Sequence, residues 1–399
     1  MNYIKKLKPH EFSFWHGKQP LLGQLDMELT ERCNNNCIHC CINLPEDDVD
    51  ARNREMGTDF VKDILKEAAG LGCLTVRFTG GEPLLREDFA ELYEFTRRLG
   101  MQVMLFTNGR LITPELASLL SRIPPGHVVE VSVYGMRPES YDRAVGKKGA
   151  FAQFRSGVAL LEKHQIPFIV KAALLPFLKD DLAEFESWAQ TIPRMDGKPV
   201  YSMNFDLRSR RDDPAKNARI RKLRLPPQET VSILSRNPIY LKDMKQFCGK
   251  FMGPPGDRLF SCGAGHGTCV DAYGKAQMCL PLRDPDMVYD LGAHYVDKAD
   301  GQSALRYAIT EFFPGLRQRR ATNPEYLRRC AVCFLKGLCE QCPAKSWAEH
   351  DTLDTPVEYL CDVAHAQARH LGLITDNENA WEVEDWRERV KRFSGSETG

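Results

Sequence analysis

Apolar and polar positions along this chain alternate between two patterns. Short strand-like runs stand at Leu25–Thr30, Thr75–Thr79, Gln102–Thr107, Val128–Tyr134, Pro167–Leu175 and Tyr201–Leu207. Helical runs lie between them. Phe60, Ile64, Leu65, Ala68 and Leu71 recur on one helical face, with Thr58 as a candidate N-cap and Gly72 as a stop. Asp88–Leu99, Pro114–Ile123, Ala150–Gln165 and Asp180–Ile192 follow the same logic. Strands alternating with helices predict an α/β fold with parallel pairing and right-handed crossovers. Six such units are too few for a closed eight-stranded barrel. The expected divisions are an N-terminal segment 1–24, the strand–helix unit 25–207, a basic connector 208–247, a Cys-rich domain 248–361 and a helical tail 362–399.

Charge narrows little. The 399 residues carry 54 Lys plus Arg against 54 Asp plus Glu, so the balance points to neither nucleic acid nor membrane as a partner. Met1–Pro9 is charged and has no apolar targeting segment. No later run is long and apolar enough for a bilayer span, so a cytoplasmic location is expected. Fourteen cysteines change the picture. Disulfides are rare in the cytosol, so clustered cysteines there suggest metal. One group runs from Cys33 to Cys41 and a second from Cys248 to Cys361, while Cys73 reads as a buried small hydrophobe.

The first group, Cys33-x3-Cys37-x2-Cys40, directly follows the first strand. Three thiolates on a short loop leave one iron of a four-iron cluster without a protein ligand. A zinc knuckle assisted by His39, or a disulfide pair, are the alternatives. The second strand ends in Gly80-Gly81-Glu82-Pro83, where glycines would admit a ligand close to the backbone. Together, in this order, the two motifs resemble the radical S-adenosylmethionine (SAM) superfamily. The resemblance implies an open (β/α)6 partial barrel and a [4Fe-4S] cluster whose free iron binds SAM and cleaves it to a 5′-deoxyadenosyl radical. It implies that the backbone of Gly80 to Pro83 and Glu82 receive the SAM amino group. Asn108 and Ser132, at the ends of strands three and four, are candidate polar contacts to SAM. Arg143 is a candidate partner for its carboxylate, and Lys171 and Asn204 are weaker candidates.

Cys262 and Cys279 bracket a hairpin turn at Asp271–Lys275, with Gly274 in G-x4-C spacing before Cys279. Cys330-x2-Cys333-x5-Cys339-x2-Cys342 follows, then Cys361. This resembles the SPASM extension of radical SAM peptide- and protein-modifying enzymes, although the gap before Cys342 is one residue short of the pattern. By resemblance, Cys262, Cys269, Cys279 and Cys342 would hold one auxiliary [4Fe-4S] cluster, and Cys330, Cys333, Cys339 and Cys361 a second. Without Cys269 the first would keep an open iron. A zinc ribbon is the alternative. Cys41 and Cys248 are spare.

The combination predicts a radical SAM oxidoreductase that matures a ribosomally made peptide, forming a thioether or carbon–carbon crosslink. Only 24 residues precede the first strand, so a separate PqqD-like leader-binding protein is expected, with flavodoxin or ferredoxin as low-potential donor. Side-chain oxidation in a folded protein is disfavoured. Sulfatase-maturing relatives place an Asp base after the cysteine of G-x4-C, and Leu280 stands here, with Asp284 remote. A tetrapyrrole substrate and a non-catalytic electron carrier are the remaining readings. The basic stretch Arg208–Arg224 is either a solvated connector or a docking surface for an acidic partner. The sequence names no catalytic base.

Overall fold

A computed structural model describes residues 21–196, 199–262, 267–295 and 303–395. Most of the N-terminal segment, Gly263–His266 beside Cys262, and the last four residues lie outside the described residues. Six parallel strands form the body: β1 (Gln24–Thr30), β2 (Thr75–Gly80), β3 (Gln102–Thr107), β4 (Gly126–Val133), β5 (Phe168–Ala173) and β6 (Val200–Ser202). Each is joined to the next through helix, as the two periods predict. The architecture is the expected α/β partial barrel.

Parallel strands covered on both faces usually read as continuous apolar runs. These strands alternate instead. Leu25, Met27, Leu29, Val76, Phe78, Val103, Leu105, Val129 and Val131 are fully buried in one cluster with helical Ile64, Leu65, Leu92, Tyr93 and Phe154. Between them, Asp26, Glu28, Arg77, Thr79, Glu130, Ser132 and Lys171 share the other face. Register sets Asp26 against Arg77 and Ser132 against Lys171, and the first pair closes an ion pair at 3.0 Å. The polar face is the inner wall of the barrel, and it is where a site belongs.

Three expectations change. Thr58 is the first helical residue, not the cap; its hydroxyl donates to Asp88 Oδ2 at 2.7 Å. Strand six is three residues long because the chain after Ser202 is drawn away: Asp206 pairs with Lys345 at 3.0 Å. The connector is helical, at Pro214–Leu223, Pro227–Leu234 and Tyr240–Phe251, and spare Cys248 is core within the last of these.

The sheet also crosses the expected division at residue 248. Strand β7 (Gly267–Val270) pairs parallel with β1 on the side away from β2, and β8 (Lys275–Gln277) and β9 (Tyr289–Asp290) follow it antiparallel. The hairpin turn is Asp271–Gly274, as expected. The tail packs on the four-cysteine region, with Trp386 stacked on Phe334 at 5.9 Å and Trp381 against His365 at 5.3 Å.

Candidate functional site

The loop after β1 brings Cys33, Cys37 and Cys40 together. Burial raises the Cys37 thiol well above its ordinary range, and Cys40 and Cys33 raise it further. Donors oppose this. The N–H of Asn35 reaches Cys33 Sγ at 3.4 Å, and those of Ile42 and Asn43 reach Cys40 Sγ at 3.4 Å each. The phenol of Tyr134 stands beside Cys37 and lowers its pKa. Amide donors aimed at sulfur favour thiolate over thiol. Three neighbouring thiols on one loop, two of them buried and two accepting amide N–H, are a donor set that suits a cluster with one unprotected iron.

Remote segments hold this loop. Asn36 N–H donates to Val145 O at 2.8 Å and Ile38 N–H to Ala144 O at 3.1 Å, from helix Pro138–Val145. Arg110 donates to Asn34 O at 2.7 Å. Asn108 Nδ2 donates to Asn34 Oδ1 at 2.7 Å and lies 3.7 Å from Cys33 Sγ. Asn108, expected at SAM, thus stands at the cysteine loop itself. His39 packs between Tyr134 and Phe205 in tilted contacts at 5.5 and 4.9 Å, and burial, aided by Lys216, lowers its pKa to about 4. It is a neutral packing ring.

The glycine pair serves the chain before any ligand. A Cβ at Gly80 would meet Thr30 O at 2.1 Å, and one at Gly81 would meet Arg32 O at 2.2 Å. Gly80 sits at φ +133°. The close approach lets Gly81 N–H donate to Thr30 O at 2.7 Å and Glu82 N–H to Arg32 O at 2.8 Å, locking the strand-two end onto the cysteine loop. Glu82 is fully buried and its carboxylate accepts from Thr107 Oγ1 at 2.8 Å, Asn108 N at 2.8 Å and Leu84 N at 3.2 Å. Burial raises its pKa to about 7, against those three donors. Pro83 is buried and opens a short 3-10 turn.

Ser132 faces the same interior, beside Tyr134, whose pKa it lowers against a larger rise from burial. Arg143 does not join the group: it is exposed, with its guanidinium 4.0 Å from the Phe177 ring centre. Its neighbour Tyr141 faces inward instead, fully buried with its hydroxyl unpaired. Sequence reasoning missed Arg110, Tyr134 and Tyr141. The strand-end position of Arg110 and Tyr134 was their available signal.

The basic stretch resolves into struts. Arg208 is buried, pairs with Asp212 and donates to Ile42 O. Arg210 bridges Glu31 at 2.7 Å and Asp271 at 3.1 Å. Lys216 holds Asn43 Oδ1 at 2.5 Å, and Arg224 holds Glu349 at 2.5 Å. These charges tie the cysteine loop to the hairpin turn and the C-terminal helices, so most of the stretch is unavailable to an outside partner.

The C-terminal cysteines form two groups. Cys330, Cys333, Cys339 and Cys361 line one small cavity. Burial, then Cys339, Cys361 and Cys333, push the Cys330 thiol up to about 12. Cys279 likewise rises to about 12 through burial, then Cys342 and Cys262. Cys269 does not enter this second group. It is fully buried in β7, accepts from Gln277 Nε2 at 3.5 Å, and its charged surroundings are Glu28, Arg283 and Asp26. Its strand register turns it toward the buried Glu28–Arg283 ion pair.

Between the barrel and the cysteine region lies a cavity of about 450 Å³. Lys171, Asn204 and Asp206 line it from the strand ends; Leu338, Glu340 and Lys345 line it from the cysteine side. Lys171 and Asn204 therefore belong to this cavity, where Asn204 Oδ1 is buried without a partner.

Residues 27–192 match the Radical SAM superfamily model. The chain is 30% identical over 362 residues to the antilisterial bacteriocin subtilosin biosynthesis protein AlbA of Bacillus subtilis (strain 168), covering 86% of this chain and 74% of that protein. It is 28% identical over 341 residues to the AdoMet-dependent heme synthase of Methanosarcina barkeri (strain Fusaro / DSM 804), covering 80% and 91%. In fold it is similar to anSMEcpe with bound AdoMet and Cp18Cys peptide, at TM-score 0.59 and 15% identity over 94% of this chain and 100% of that one. The chain belongs to the radical SAM superfamily and is an enzyme of that type. Membership implies a [4Fe-4S] cluster and SAM. Among the described residues no helix is long and apolar enough to cross a membrane.

Proposed function

We propose that this enzyme oxidatively matures a ribosomally made peptide by forming a thioether or carbon–carbon crosslink. One observation carries the reading: the cavity of about 450 Å³ lies between the barrel strand ends and the cysteine-rich region. A substrate there would lie between the ends of β5 and β6 and the segment 337–345 that carries Cys339 and Cys342. Cys33, Cys37 and Cys40 would hold the SAM-binding cluster, and the two C-terminal thiol groups would hold auxiliary clusters. When bound, SAM at the first cluster supplies a radical that removes a hydrogen atom from carbon. The chain's residues position the substrate and exclude water. Glu82, Asn108 and Ser132 order the first site from the strand ends. Lys171 offers a cation to a substrate carboxylate, while Met203, Phe247 and Leu338 offer apolar wall. The relative named for subtilosin biosynthesis supports a peptide substrate. A separate leader-binding protein and a flavodoxin or ferredoxin donor complete the proposed system.

The second reading is a tetrapyrrole, favoured by the heme synthase that matches over 91% of its length. The test offers the reconstituted enzyme a short peptide encoded beside its gene and, separately, an iron porphyrin bearing propionates. Peptide maturation predicts a product lighter by two hydrogens, with 5′-deoxyadenosine formed in equal amount. Turnover of the porphyrin alone would replace this reading with the second.

A further inference from the structure

The four-thiol cavity has a cation built into its wall. Arg329 borders it together with Cys330, Cys333, Cys339 and Cys361. Its Nη2 donates to Cys361 Sγ at 3.4 Å. The same guanidinium holds Glu358 through Nη1 at 2.8 Å and Nη2 at 2.9 Å, and lies 4.6 Å from the Trp381 ring centre. These contacts leave it little freedom. Yet Nε of Arg329 is buried with no partner. A buried N–H without an acceptor is costly, and native proteins seldom leave one so.

A second donor reaches the same sulfur. Ala380 N–H donates to His365 Nε2 at 3.1 Å, which puts the ring proton on Nδ1. That Nδ1 lies 2.9 Å from Cys361 O and 3.5 Å from Cys361 Sγ. The charges around Arg329 are unequal. Its side chain is 12% exposed, while that of Glu358 is 63% exposed. Glu325 also accepts from Nη1 at 3.2 Å and is 43% exposed, so water screens both carboxylates more than the guanidinium, which is the charge that touches the sulfur.

We propose that Arg329 is a positioning residue that sets a redox potential: through Nη2 and Nε it donates to the cluster held by Cys330, Cys333, Cys339 and Cys361, and raises its reduction potential. The inference rests on reading those four cysteines as a cluster site. Hydrogen bonds to cluster sulfur and nearby positive charge both stabilise the reduced form, which carries one more electron.

The test uses the full chain with Cys33, Cys37 and Cys40 changed to Ala, loaded anaerobically with iron and sulfide. Iron per chain and midpoint potentials are measured, the latter by redox titration followed by electron paramagnetic resonance. With Arg329→Met one potential should move negative while iron stays constant. Arg329→Lys, which keeps the charge but loses the fork, should move it less. Glu358→Gln should move the same potential positive. Full iron with unmoved potentials in both Arg329 variants would overturn the proposal. Should Arg329→Met lose iron, Arg329→Lys decides by the same reading. If Cys361→Ala in this background changes neither iron nor potential, the cluster reading fails and the proposal with it.

Discussion

Cys33, Cys37 and Cys40 lie within eight residues, yet the groups that hold their loop come from far along the chain. Asn108 reaches Cys33 across 75 residues, and Lys216 reaches Asn43 across 173. Cys330, Cys333, Cys339 and Cys361 are spread over a longer segment, but their supports are local. Arg329 reaches Cys361 across 32 residues and His365 across four. The donors differ as well. Neutral amides donate to thiols of the first loop, while a guanidinium donates to the second set. A loop held by distant strand ends inherits every error in the barrel. A locally braced unit depends mainly on its own sequence.

The largest effect that could break this contrast comes from the glycines. Gly80→Ala and Gly81→Ala place a methyl 2.1 and 2.2 Å from backbone oxygens that cannot yield. Each should destabilise by roughly 3–5 kcal/mol, as severe overpacking does. Iron per chain should fall by about 4, the content of one [4Fe-4S] cluster. The irons of the C-terminal thiols should remain. Equal loss from both regions would show that they stand or fall together, and the contrast would be wrong.

A middle-sized effect sharpens it. Cys361→Ala should lose up to about 4 irons, and Cys279→Ser likewise at the other group. Cys269→Ser should lose none, since Gln277, not another cysteine, is the partner of its sulfur. Iron loss with Cys269→Ser would return it to the ligand set.

The smallest effect is on pH dependence. The folded pKa of His39, about 4, lies below its ordinary 6.5. The unfolded chain therefore binds more protons between those values, and stability rises with pH across that window and is lost as pH falls through it. His39→Phe keeps the ring between Tyr134 and Phe205 and removes the titration. Thermal unfolding should show the variant losing less stability than wild type from pH 6.5 to pH 4. Identical slopes would mean that His39 is solvated in the folded protein.

Legibility followed the range of each interaction. Strand and helix positions in residues 25–192 could be read because apolar periodicity is local and core burial rewards it wherever it occurs. Strand six could not, because Asp206 answers to Lys345, a residue 139 positions later (345 minus 206). Cysteine spacing revealed which segments carry thiols. It did not reveal that Cys269 turns toward Glu28 and Arg283, because a strand's facing depends on register with β1. Arg143 and Tyr141 stand two residues apart on one helix, and only packing decided that the tyrosine faces inward.

By itself, then, the sequence determined the α/β alternation, the thiol inventory and the motif order that marks the superfamily, all written in spacing along the chain. The tertiary structure alone decided three things. The glycine pair serves strand contact, the basic stretch is an internal brace, and Arg329 faces the four thiols. Each depends on which distant groups share a burial site, and burial makes an unpaired charge or N–H too costly to leave to chance.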